Sequence, residues 1–294
     1  MNQRLVSIGM CGAAVLATAV FAAPVATAAA KLEVKPTKPF EGDAVLVTVR
    51  GMKTRPAGSA LGKDLLFYGT VGGAWQAVFA VPLEDAPPKL DVVVQQSDLR
   101  TTLEVRPRAA IEDEVKVDPM YAEPPADKIK QTEEDNQAVV RALKNVGPPQ
   151  FKSRFGKAGL GRITSAFGGW RTFNGSHRSR HLGFDLAARK GAAVKSINAG
   201  TVTLVADTFL MGKVVVIDHG GGIGSTFFHL RDVAVAQGDK VRRGQRIGGA
   251  GDGGRTNGSH LHLGLWVAGG FVDPAAFARL PLLTPRPADS KAAN

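Results

Sequence analysis

Cysteine is the scarcest residue with chemistry of its own: the 294-residue chain has one, Cys11, inside its first thirty residues. The remainder can form no internal disulfide and must hold its fold with a hydrophobic core or a metal. Histidine is absent before His177, so the first 176 residues lack the side chain best suited to proton transfer near neutral pH. Aromatic residues make up 6% of the chain, and no long basic stretch interleaved with base-stacking aromatics is present, so a nucleic-acid partner is not expected. Acidic residues are the minority among charges, 26 against 37 Lys and Arg, for a formal net charge of +11. No βαβ rhythm is present, which excludes a parallel α/β architecture.

The N-terminus is of a different composition. Arg4 is its single charge, an apolar run follows from Leu5 to Ala23, and APVATAAA closes it with small residues. This reads as a secretory signal peptide over 1–30, cleaved after Ala28 or Ala30. The length of the run also fits an uncleaved anchor, although its Ala and Gly content makes a weak one. Met10 stands where a lipidation motif wants a small residue before Cys11, which sets a lipoprotein reading aside. Export to the periplasm is expected, with secretion as the alternative, and no stable membrane insertion once the peptide is removed. Residues 1–30 carry one Arg and no acid, so their loss leaves a net charge of +10. Such a surface suits an anionic cell-wall partner, and ordinary solubility accounts for it equally well.

Residues 31–110 show short alternating runs at 44–49, 74–81 and 99–105 punctuated by Gly and Pro, the pattern of an immunoglobulin-like β-sandwich. Nothing in this accessory domain suggests catalysis. Residues 111–150 read as a linker: an extended connector over 111–125, then a helix over 126–147 with Asp127 as cap, a stop at Gly147 and a thin apolar stripe of Ile129, Val140 and Leu143. Residues 151–283 turn to Gly-rich short strands at antiparallel spacing, and 284–294 form a tail. The fold class expected is therefore mainly β, two β domains joined by a segment with one helix.

All six histidines fall in the second β domain. In SHLHLGLWV, 259–267, strand alternation puts His260 and His262 on one face and Leu261, Leu263 and Leu265 on the other. In RHLGFDLAA, His181 and Asp185 share a face if the segment is a strand, and Gly183 between them argues against a helix. His229 closes the apolar run STFFHL. A lone buried histidine is usually a hydrogen-bonded core residue, but five such groups in one β domain are harder to dismiss. A hydrolytic zinc takes three N or O ligands and keeps a fourth position open. Two histidines and a carboxylate supply three, and the spare imidazoles are free to handle protons.

HLGFD, followed in order by LAARKGAAV, AGTV, VVVIDHGGG, FFHL, VAQGDKVRRGQRIGGAG and SHLHL, resembles the lysostaphin-type (LytM-like) zinc metallopeptidases that cut peptide bonds in peptidoglycan. The resemblance covers about Arg162 to Pro274. It implies an antiparallel β-sheet with its site in a groove, one zinc ion per chain bound by His181, Asp185 and His262, and His229 with His260 as the catalytic pair. The implied activity is hydrolysis of peptidoglycan cross-links, with the D-alanyl-diaminopimelate bond favoured over a glycyl-glycine bond. Oligomeric state is not implied.

Three departures bear on the groove: Phe227 stands where relatives carry a Tyr two positions before the catalytic histidine, GDGGRTNGSH lacks their small hydroxyl residues, and Arg180 replaces a Pro. His177 reads as a solvated loop residue and His219 as a turn residue satisfying backbone groups. Two rivals are weaker. A non-catalytic regulator of other wall hydrolases should lack one or more of the five residues. A lipoyl-type carrier needs a modifiable Lys at a hairpin tip, and Lys240 lies in the wrong half of that pattern.

Overall fold

The structure, a computed structural model, describes residues 29–109, 111–144, 147–152 and 154–287. The signal-peptide reading of 1–30, with Cys11, thus falls almost wholly outside the described residues, as does the end of the tail. Among the described residues no helix is long and apolar enough to cross a membrane.

Residues 31–104 form two four-stranded antiparallel sheets. One has the order Lys31–Lys35, Ala44–Arg50, Trp75–Ala80, Tyr68–Gly69, and the other Lys63–Asp64, Gly58–Ala60, Lys89–Val94, Leu99–Glu104. The strand Ala44–Arg50 is buried on both faces up to its last residue. Val45, Val47 and Val49 point into the core between the two sheets. Ala44 and Leu46 point the other way, into a second core with Phe151, Leu263 and Phe277. A strand whose buried positions run Ala-Val-Leu-Val-Thr-Val, with Thr48 its one buried polar residue, rather than alternating apolar and polar, is what two buried faces require. Here it fuses the N-terminal sheets to the C-terminal half through one continuous apolar layer.

The joint has a polar rim. The Arg108 guanidinium donates to Asp43 at 2.8 Å, to the Glu41 carbonyl at 2.7 Å and to Asp273 of the C-terminal half at 3.3 Å. Beyond Leu282 the chain runs back along the N-terminal sheet, where Arg286 N donates to Gly69 O at 2.7 Å and Leu283 N to the Gln76 side chain at 2.9 Å.

The C-terminal half is built on a ten-stranded sheet whose pairings are all antiparallel. Its centre runs Phe184–Ala187, His260–Val267, Ile223–Val233, Gly212–Gly220, Gly200–Thr208. The helix Ala126–Leu143 covers one face, packing Val139 and Leu143 against Val214, Val216 and Trp266. Its details depart from expectation. Pro125 occupies the cap position, Asp127 sits in the first turn, and the helix ends at Leu143. Asp127 there still favours the helix dipole. Ile129 is 57% exposed and takes no part in the packing stripe.

The connector is not simply extended either. Glu112–Val115 forms a strand paired in parallel with Trp170–Phe173, which pairs in turn with His177–Arg180, and Pro119–Ala122 makes one helical turn. This small three-stranded sheet stands beside the C-terminal sheet and walls a groove.

Candidate metal and catalytic site

The strand His260–Val267 alternates as its sequence demands. Leu261, Leu263 and Leu265 enter the main core, which turns His260 and His262 to the opposite face. On one side Phe184–Ala187 sets Asp185 opposite His262. On the other, Ile223–Val233 sets Phe228 opposite His262, and their rings stack with centroids 5.1 Å apart and planes 6° from parallel.

His181 arrives by another route. It does not share a strand with Asp185, because His177–Arg180 ends before it and the next strand begins at Phe184. A bend over 181–183 delivers it, held by His181 N donating to Gly169 O and Gly168 N to His181 O, both at 2.8 Å. Gly183 is required in this bend, since a Cβ there would lie 2.5 Å from Leu263 O and 2.6 Å from His262 Nε2.

Three buried donor atoms result. His181 Nε2, Asp185 Oδ1 and His262 Nδ1 form a triangle with sides of 3.0, 3.1 and 3.1 Å. Ligands on a tetrahedral metal with bonds of roughly 2.0–2.1 Å stand about 3.3 Å apart, so the triangle has the size of three tetrahedral vertices. His181 Nδ1 lies 2.7 Å from Ala166 O, and because a carbonyl only accepts, that nitrogen must carry the proton. His181 Nε2 therefore presents a lone pair to the Asp185 carboxylate, an arrangement relieved by a positive charge between them.

Electrostatics keep the cluster ready for one. Burial alone would raise the Asp185 pKa, but the His181 and His262 rings against it hold it well below the usual carboxylate range. Burial takes His262 down to about 4, leaving it neutral near pH 7. The second Asp185 oxygen accepts a very short bond from Arg171, a neighbour the sequence gave no sign of. Among the described residues this triad is the group of His, Cys, Asp or Glu side chains with the spacing to hold a metal ion.

His229 and His260 stand beside the triangle with ring centroids 4.8 Å apart. His260 Nε2 is 3.7 Å from Asp185 Oδ1. Each Nδ1 donates to a backbone carbonyl, His229 to Gly253 at 2.8 Å and His260 to Gly258 at 2.9 Å, so each Nε2 is left as a lone pair. Burial first, then the His260 and His262 rings, brings His229 to about 3. A β-bulge aims it: Lys213 faces Leu230 and Val215 faces Phe227, so Phe228 and His229 share one position, with His229 at φ +60°. The same bulge leaves Phe227 wholly buried in the core, away from the site.

The site opens on a groove of about 690 Å3 lined by Asp113, Glu114, Arg171, Asp185, Arg255 and His260, among others. His177 is exposed, as expected, but at the start of a strand rather than in a loop. His219 is fully buried between Ala199 O and Ser225 Oγ, both at 2.8 Å, and belongs to the core. Arg180 stacks 4.3 Å from the Trp170 ring and donates to Gly168 O and Glu84. Arg171 and Arg255 are the groove residues the sequence reading missed. Arg255 had a signal, standing in the loop 252–259 where small hydroxyl residues were expected.

Residues 179–274 match the profile of peptidase family M23. The chain carries an M23 peptidase domain. The segment containing this M23 domain is 38% identical over 107 residues to the peptidoglycan DD-endopeptidase ShyA of Vibrio cholerae, a match covering 36% of this chain and 25% of that protein. It is 36% identical over 118 residues to the DD-carboxypeptidase/endopeptidase Mpg of Neisseria meningitidis, covering 40% and 27%. The matched segment thus spans about a quarter of the length of these relatives. A solved Pseudomonas aeruginosa structure assigned to peptidase M23 superposes with a TM-score of 0.64 at 27% identity, over 82% of this chain and 95% of that one. That likeness extends well beyond the M23 domain into the other β sheets.

Proposed function

We propose that the chain is an exported zinc endopeptidase that hydrolyses peptide cross-links of bacterial peptidoglycan, with His181, Asp185 and His262 as zinc ligands and His229 and His260 as the proton-handling pair. The observation that carries the reading is the 3.0–3.1 Å triangle of buried donor atoms with two further imidazoles beside it, their Nε2 lone pairs free. The donor set of two histidines and a carboxylate suits a hydrolytic zinc. Zinc held there would supply Lewis acidity toward a water and toward the scissile carbonyl.

The chain's own groups supply the rest. Ala166 O fixes the His181 tautomer so that Nε2 faces the metal position, and Arg171 anchors the free oxygen of Asp185. His229 and His260, oriented by Gly253 O and Gly258 O, accept the proton of the attacking water at Nε2 and return it to the leaving amine. Phe227 brings no hydroxyl to the oxyanion, and its place in the core means that its side chain does not obstruct the groove either.

The names of the two relatives favour a bond between D-residues, and the D-alanyl-diaminopimelate cross-link is the proposed target. The test has two parts. Purified protein should hold about one zinc per chain and lose activity on chelation. Digestion of peptidoglycan of known cross-link type should release monomers from diaminopimelate-linked wall. A metal-free protein inert on every wall type would overturn the reading.

A further inference from the structure

Arg255 lies in the loop 252–259 that leads into the strand of His260 and His262. The loop is built rather than loose there. Arg255 N donates to Leu210 O at 2.8 Å, and Gly254, at φ +81°, brings the backbone so close that a Cβ would meet Leu210 O at 2.4 Å. The Arg255 guanidinium lies 3.8 Å from the centroid of the Phe173 ring. Among the described residues it makes no side-chain hydrogen bond and no ion pair. Its charged neighbour is another cation, Arg171, whose own guanidinium is committed to Asp185. Burial first, and Arg171 second, lower its pKa to about 10.

A half-buried guanidinium that faces a second cation and spends none of its five N–H donors is costly unless an anion completes it. Its planar fork matches a carboxylate held by two parallel bonds. The groove it lines also contains Asp185 and His260, so the anion would sit close to the scissile bond rather than far along the chain. The same lining carries Asp113 and Glu114 of the strand Glu112–Val115. The groove is thus bipolar, suited to a ligand with both a carboxylate and an ammonium.

We infer that Arg255 is a specificity-determining residue whose guanidinium receives the free α-carboxylate borne by the amine-side residue of the cross-link, two bonds from the scissile nitrogen. The inference rests on the peptidoglycan-endopeptidase reading above and divides its candidate substrates. In a D-alanyl-diaminopimelate link, the carbon bonded to the scissile nitrogen carries a free carboxylate. In a glycyl-glycine bridge the same carbon carries only the continuing neutral backbone. Arg255 then selects the first, and Phe173 acts as a positioning residue beneath it.

The experiment uses the full chain loaded with zinc and two cross-linked peptide dimers, one with that carboxylate free and one with it as a carboxamide. Charge-assisted hydrogen bonds are worth roughly 1.5–3 kcal/mol, so wild-type kcat/KM should favour the free carboxylate by about 10- to 100-fold, chiefly through KM. In Arg255→Gln the ratio should fall to within about threefold. Arg255→Lys, which keeps the charge but not the fork, should fall between, and provides the reading should the Gln variant lose its fold or its zinc. A wild type indifferent to the carboxamide, or a variant with the full preference, overturns the inference while leaving the endopeptidase reading intact. Calorimetric binding of the amine-side monomer peptide, as carboxylate and as carboxamide, separates the two. Arg255-dependent preference in binding without cleavage of any dimer would sink the endopeptidase reading and leave the carboxylate site standing.

Discussion

At the scale of single residues, the two histidines of SHLHL divide by geometry although they share a face. His262 Nδ1 belongs to the triangle with His181 and Asp185, whereas His260 gives its Nδ1 proton to Gly258 O and leaves Nε2 at 3.7 Å from Asp185. His262→Ala should therefore lose zinc and activity together. His260→Ala should keep most of its zinc and lose turnover by about a hundredfold to ten-thousandfold, the usual worth of a general acid–base group. Metal analysis and kinetics on both purified variants check this; a metal-free His260→Ala with zinc-loaded His262→Ala would reverse the assignment. Arg171 acts one contact further out, through the free oxygen of Asp185. Its replacement by Met should weaken zinc about 10- to 100-fold in competition with a chelator, a typical loss for an outer partner of a ligand. An unchanged zinc affinity would show that the ion pair plays no part in holding the metal.

At the scale of elements, the site is a product of close packing between a bend and a strand. Gly183 lets the 181–183 bend lie against Leu263 O and the His262 ring, and any side chain there must push one of them away. Gly183→Ala should thus impair zinc binding more than folding, read as a loss of metal affinity at a nearly unchanged urea midpoint. Equal losses in both would make Gly183 an ordinary packing position. The helix Ala126–Leu143 illustrates what pattern reading catches and what it misses. Its existence followed from its helix formers, but its buried stripe is Val139 and Leu143 rather than Ile129, because docking on Val214, Val216 and Trp266 selects the face. Propensity alone carries no information about which face meets a partner.

At the scale of the whole molecule, the two halves share a core, so they should unfold together. Leu46, 1% exposed, reaches from the N-terminal sheet into the layer that holds Phe151, Leu263 and Phe277. Leu46→Ala should cost about 2–5 kcal/mol and lower the midpoint of a single transition followed by both near-UV dichroism and zinc release. Two separated transitions in the wild type would contradict a shared core. Acid stability has a distinct source in His219, fully buried and brought to about 4 by burial, against the backbone hydrogen bond with Ala199 that raises it. The unfolded chain binds that proton near pH 6.5, so stability is full above that pH, falls as pH drops toward 4 and levels off below, for a total of about 3 kcal/mol. In His219→Gln that component of the slope between pH 6.5 and 4 should vanish, whatever the variant's absolute stability. A slope as steep as the wild type's would assign the acid sensitivity to other groups.

By itself, the sequence determined the mainly β class, the strands at 44–49, 74–81 and 99–105, the inward leucines and outward histidines of 260–265, and the set of five residues that meet at the site. Each of these follows from periodicity or residue chemistry within a few positions of chain, which is local information. Tertiary structure decided what depends on distance in sequence. His181 and Asp185 converge through a bend and not through strand alternation. A bulge aims His229 and buries Phe227, and the connector contributes a strand to the groove wall. Ala44–Arg50 is buried on both faces because the two halves fuse there, and Arg171 and Arg255 are placed in the groove by strands and loops far from them in the chain. Pairing between remote strands leaves no mark on the composition of either, so a side chain whose role comes from its neighbour across a sheet or groove is legible only once the chain is folded.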